Sequence, residues 1–231
     1  MKKYQFYFLA LFSIVIFTSN IQGQTKESVK VETEERTAKS DLDQEKKAEE
    51  WTASLELNDQ PKEHRIREII ALHLKFIRDW HNEHPYTTVP AGINPLDGKP
   101  LSDLDRQIIA NSALPKIVHQ NLMNGLRKEL KEEQVEAILD KYTVGKVDFT
   151  MAGYNAIVPD LTEEEEKTIR GYMEQAREQA VDYKNMNQIS GIFEIYKTKA
   201  EQYLNSNGRN WREMYKSYVK EANAKKAQNK D

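Results

Sequence analysis

The 231-residue chain contains no cysteine. Disulfides, thiolate metal sites and an acyl anchor on a cysteine behind a leader are therefore all excluded. It also lacks a long hydrophobic run. The most apolar segment, Phe6 to Phe17, has 12 residues, short of the roughly 20 that a membrane-spanning helix needs. No single sign of charge dominates: the net charge is −3, which gives no general attraction to nucleic acid or anionic lipid. Sustained strand-like alternation is missing apart from a possible "VGKVDF". No phosphate-cradling glycine loop, zinc-protease helix, calcium loop or nucleophile elbow is found. No cofactor is therefore expected.

The N-terminus carries Lys2 and Lys3, then the apolar run, then small or polar residues up to Gly23 and Gln24. That layout is a secretory signal peptide over residues 1–23. Its loss removes two lysines and no acids, taking the charge from −3 to −5. A periplasmic or secreted protein follows, with neither a lipid anchor nor a stable membrane anchor. Residues 24–43 mix both charge signs and have no aromatics, so they are expected as a disordered polar spacer. An all-α domain is expected over 44–224, a single multi-helix bundle with two long irregular loops, and a frayed charged tail over 225–231.

Helical periodicity carries the fold assignment. Ile66, Ile69, Ile70, His73, Ile77 and Trp80 recur at three- and four-residue spacing, as do Val135, Ile138, Leu139 and Tyr142. Thr162 precedes Glu165 by three residues, a capping box for a helix with Ile169, Tyr172, Met173, Ala176, Ala180 and Tyr183 on its apolar face. Ser102 and Asp105 form a similar start. Pro115 inside the following segment predicts a kink or break near Leu114. Segments 189–206 and 209–224 are separated by Gly208, suited to a left-handed helix end.

Two stretches resist this pattern: Pro85 to Leu101, and Thr143 to Asp160. The first is longer than helix connections usually are, and long ordered loops often carry function. Trp80, His81, His84 and Tyr86 sit at its edge, mixing stacking planes with hydrogen-bonding groups. With Asp148 and Tyr154 from the second stretch they form a candidate saccharide surface, the two loops lying at one end of the domain. A sugar offers an apolar C–H face to an aromatic ring and a rim of hydroxyls to polar groups. Trp211 and Arg212, in "GRNWRE", make a second such mixture. His81 and His84 lack the further ligands that zinc requires, so no metal site is expected. His73 reads as a core histidine. His119 has no partner by spacing.

The pieces "DWHNEHPYTTVPAGINPLDGKPLSDLDRQ", "YTVGKVDFT", "VPDLT" and "EIYKTK", in this order, carry a resemblance that extends from Trp51 to Lys220. The chain resembles the secreted bacterial family known as domain of unknown function 3826. The resemblance implies sugar binding in a setting of plant or algal cell-wall polysaccharide breakdown, often of rhamnose- and uronate-containing glycans. It supplies no catalytic residues. The expected partners are an oligosaccharide or polysaccharide and polysaccharide-degrading enzymes of the same pathway, with no nucleic acid. Two other readings stand beside it: a helical partner-binding or chaperone-like protein, and a hydrolase or lyase on acidic glycans. N-terminal sequencing of the exported protein is expected to begin near Gln24, and an intact Met1 in the envelope fraction would overturn the leader assignment.

Overall fold

The computed structural model of the chain describes residues 15–95 and 98–228, with side chains from residue 32 to residue 227. Most of the leader and the loop acid Asp97 thus lie outside the described residues. Helix α1 spans Val15–Ala53. Residues 24–43, expected as a disordered spacer, are helical within it. They contain no glycine or proline and include four Glu, three Lys and an Arg, whose helix propensity is high even where no core exists. Residues up to Lys47 form a unit by themselves, and a second unit begins at Ala48. α1 ends where Glu56 and Asn58 take positive φ.

The second unit is a succession of helices, each bounded by legible chemistry. α2 (Gln60–Glu83) starts at Asp59, whose side chain accepts from the Lys62 N–H, with a proline in the first turn. α3 (Asp103–Ser112) opens with the expected Ser102–Asp105 box. The chain then breaks, and α4 (Lys116–Glu129) restarts directly after Pro115. The proline ends one helix and begins the next. α5 (Glu132–Thr143) and α6 (Lys146–Ile157) follow. α7 (Glu163–Ala180) has the Thr162–Glu165 box, α8 (Met186–Ser206) is capped by Asn185, and α9 runs Trp211–Gln228. Gly208 has φ of 84°. The fold is all-α. No strand occurs among the described residues, which hold one isolated bridge between Ile93 and Pro100.

Two sequence expectations are corrected here. The "VGKVDF" segment is not a strand, and Thr143–Asp160 is not an irregular loop. Val147, Met151, Tyr154 and Val158 are all buried, and their spacing of four, three and four is one helical face. Glycines and β-branched residues obscured that period in the sequence. The described residues of the Pro85–Leu101 stretch, by contrast, are irregular. They hold a 3-10 turn at Tyr86–Thr88, and Arg106 donates to the Val89 carbonyl from both Nε and Nη2.

Two hydrophobic cores result. One gathers Ile66, Ile70 and Leu74 of α2, Leu122 and Leu126 of α4, and Val135 and Ile138 of α5. The other gathers Met151 of α6, Ile169 and Met173 of α7, and Ile192, Phe193 and Leu204 of α8. Val181, just past α7, packs into the first core although its helix serves the second. α3 approaches α8 closely at Gly191, where a Cβ would stand 2.6 Å from Ile108 Cδ1.

The α5–α6 corner is strained. Val144 adopts φ 54°, ψ 47°, a left-handed conformation that crowds a β-branched side chain. Its side chain is exposed and therefore loses no packing on substitution. Val144→Asn is expected to raise stability by about 1 kcal/mol in urea unfolding, and an unchanged or lower midpoint would contradict the strain.

Candidate functional site

The structure disperses the residues chosen from sequence. Trp80 and His84 stack on each other, with ring centroids 3.8 Å apart. His84 Nδ1 donates to the Trp80 carbonyl at 2.9 Å, so the His84 ring is engaged within its own helix turn. Trp80 Nε1 is buried with no hydrogen-bond partner among the described residues. Arg106 lies over the Tyr86 ring, 5.3 Å from its centroid. His81 Nδ1 is 3.2 Å from Gln188 Nε2, where it accepts. Burial, then the nearby Lys184 charge, lowers the His81 pKa.

The two stretches expected to meet at one end do not meet. The end of α2 and the Tyr86 turn pack with α3, whereas α6 packs with α5, α7 and α9. Asp148 is exposed in the first turn of α6 and pairs with Arg170 at 3.0 Å. Tyr154 is core, 3% exposed, and its hydroxyl donates to the Lys197 carbonyl. Trp211 packs against it at 5.1 Å between centroids. Arg212 is exposed at the start of α9.

A different group converges instead. Asp182, in the turn after α7, is bound on both carboxylate oxygens by imidazoles. His73 Nε2 of α2 lies 3.0 Å from Oδ1, and His119 Nδ1 of α4 lies 2.9 Å from Oδ2. His73 is buried, as its place on the apolar stripe implied, and its Nδ1 is 3.1 Å from the Tyr142 hydroxyl of α5. Burial, reinforced by Asp182, raises the Tyr142 hydroxyl far above its ordinary pKa. It therefore keeps its proton and can donate to His73 Nδ1, while His73 Nε2–H donates to Asp182. Burial works to raise the Asp182 carboxyl, but the hydrogen bonds from His119 and His73 outweigh it and hold the carboxyl below its usual value.

His119 Nε2 has Glu178 Oε1 at 3.6 Å, and Glu178 is in turn 3.7 Å from Arg127. The hydrogen bond to Asp182, opposed by burial and helped by Glu178, raises the His119 pKa. His119, Glu178 and Asp182 line a cleft of about 620 Å³. Its walls are the α3–α4 corner (Asn111, Ser112, Leu114, Pro115), the α4 start (Lys116, Gln120), α7 (Gln175, Gln179) and the tyrosines Tyr183 and Tyr196. Behind the wall, amides form a chain. Gln107 Nε2 donates to Asn111 Oδ1, and Asn111 Nδ2 donates to Gln188 Oε1, which also accepts the Lys184 N–H. Gln188 in turn holds His81. The sequence-chosen histidine is thus two residues away from the cleft wall.

A family model described as "protein of unknown function (DUF3826)" matches residues 42–224. The chain belongs to that family. No curated protein matches it. The match covers all of α2 to α8, so the cleft is built wholly from the family domain. Among the described residues no group of three or more potential metal ligands converges, and no helix is long and apolar enough to cross a membrane.

Sequence spacing could not pair His119 with Asp182, 63 positions away. One signal did exist: Asp182 stands between Val181 and Tyr183, both buried, and an acid amid core residues requires partners. Because the folded pKa of His119 lies above the ordinary 6.5, its stabilising contribution is full below about pH 6.5 and is lost as pH rises through the folded value. His119→Gln is therefore expected to lower the melting temperature more at about pH 5.5 than at about pH 9. Asp182→Asn, which leaves one imidazole without an acceptor, should cost on the order of 3 kcal/mol in denaturant unfolding. Equal losses for His119→Gln at both pH values would contradict the assignment.

Proposed function

We propose that this DUF3826 protein binds saccharides outside the cytoplasm, as an accessory to the breakdown of plant or algal cell-wall polysaccharides. The binding site in this reading is the cleft between α4 and α7. Its lining is the observation that carries the proposal. Carboxamides, carboxylates and an imidazole supply donors and acceptors of the directional kind that hydroxyls need, and the partly exposed Tyr196 supplies an aromatic ring. A volume of about 620 Å³ is of the size that holds a small ligand. Trp80 and His84 are less suited, since their rings are stacked on each other. The leader-like N-terminus supports export.

An enzymatic reading has one observation in its favour. Asp182 orients His119, whose other nitrogen borders the cleft, an arrangement used for proton transfer. The partner acid Glu178 is only 3.6 Å from that nitrogen, however. Glycoside hydrolysis needs its two groups about 5 Å or more apart, across the sugar. A hydrolase with His119 and Glu178 as the pair is disfavoured.

Calorimetric titration against pectic and algal oligosaccharides tests the proposal. At least one ligand is expected to bind without being cleaved, and Tyr196→Ala should weaken it about tenfold, the loss of one stacking ring. Binding that survives Tyr196→Ala unchanged would move the site away from the cleft, and no binding across the panel would refute the function.

A further inference from the structure

Helix α9 is anchored at one end only. Trp211 in its first turn packs on Tyr154 of α6, and Tyr215 stacks on Trp211 at 6.1 Å between centroids. From Tyr215 to Ala227 every residue except Ala222 is exposed. A helical segment of that length without a packed face is marginal in water, because most helix stability comes from burying an amphipathic side. The segment does have such a side. Tyr215, Tyr218, Val219 and Ala222 recur at three- and four-residue spacing, and Tyr215 and Tyr218 are 50% and 38% exposed. Charge is sorted along the same helix. Between Trp211 and Gln228 there are five bases and two acids, a net +3, whereas the whole chain carries −3, so the rest of it sums to −6. Arg212, Lys216 and Lys220 stand four apart, in one row beside the apolar stripe, and Lys225 and Lys226 occupy the last turn. Lys216 lies 3.8 Å from Glu213, and the other four bases pair with no acid among the described residues.

We infer that α9 docks reversibly on an anionic phospholipid surface, with Tyr215, Tyr218 and Val219 at headgroup depth and the row of bases against the lipid phosphates. Charge complementarity decides the occupant. A neutral apolar partner would cover the stripe and leave the bases unmet. An acidic protein patch would need fixed charges at the spacing of the lysines, whereas mobile headgroups meet long side chains wherever they reach. The stripe has tyrosines and no Leu, Ile or Phe, a composition suited to the membrane–water boundary and too shallow for an anchor. The chain as a whole has no attraction to anionic lipid, and the part outside α9, at −6, is repelled by it. The sorting of charge thus makes α9 alone the contact. This inference is independent of what the cleft between α4 and α7 binds.

Vesicle sedimentation of the protein recovered from the envelope fraction provides the test. Pure phosphatidylcholine vesicles are compared at low salt with vesicles containing about one-third phosphatidylglycerol. Binding is expected to the anionic vesicles only, and it should fall at least about tenfold in about 1 M salt, where charges are screened within about 3 Å. Lys216→Ala combined with Lys220→Ala should weaken it about thirtyfold. Tyr215→Ser combined with Tyr218→Ser should weaken it severalfold. All four positions are exposed, so the melting temperature of both variants should match that of the unmodified protein. Equal binding to the two kinds of vesicle would overturn the inference, as would unchanged affinity in the double-lysine variant. Absence of binding to either vesicle would overturn it too.

Discussion

The Asp182 carboxylate, gripped on one oxygen by His73 and on the other by His119, is the interaction on which this domain turns. His73 and His119 belong to the helices of the first core, and Asp182 belongs to the turn that leaves α7 for the second. An acid placed there is costly to bury unless its charge is met. It is met twice, and the Tyr142 hydroxyl closes the chain behind His73. Val181 beside it fills the first core, so the polar link and an apolar plug act at the same point. Arg177, one turn back on α7, repeats the device with Asp140 and Glu136 of α5.

The same link shapes the cleft. Fixing the α7 exit against α4 leaves a cavity flanked by the α3–α4 corner that Pro115 creates. The helix break is therefore part of the site as well as a feature of the fold. A straight helix through residue 115 would not turn the chain at Asn111, Ser112 and Leu114, which form one wall. The amide chain from Gln107 through Asn111 to Gln188 then holds that corner to α8. Each amide has its partner, which suits a wall that must keep its shape when a ligand's hydroxyls compete for hydrogen bonds.

How far the sequence could be read depended on the range of the interaction. Capping boxes at Ser102 and Thr162, the break at Pro115 and the apolar faces of α2, α5 and α7 are local patterns of three or four residues, and all appear in the structure. The α6 helix was missed because its face, Val147 to Val158, is interrupted by residues that read as turn or strand. The α1 helix over residues 24–43 was missed for the opposite reason: its composition lacks a core-facing stripe, yet its backbone propensity is high. The family resemblance extended the reading in length and order but carried no residue roles.

The all-α class, the positions of most helix ends and the core status of His73 were determined by the sequence itself, since each follows from contacts within one or two turns. The site was decided only by tertiary structure. His119 had no partner within helical reach, and its partner came from a turn 63 residues away. His81, His84 and Tyr86 looked free in one dimension and prove to be engaged in three, while Trp80, already on the apolar stripe, stacks on His84. Helical periodicity records which face of a helix is buried. It does not record which two helices bring their polar residues together, and a cleft exists only where they do.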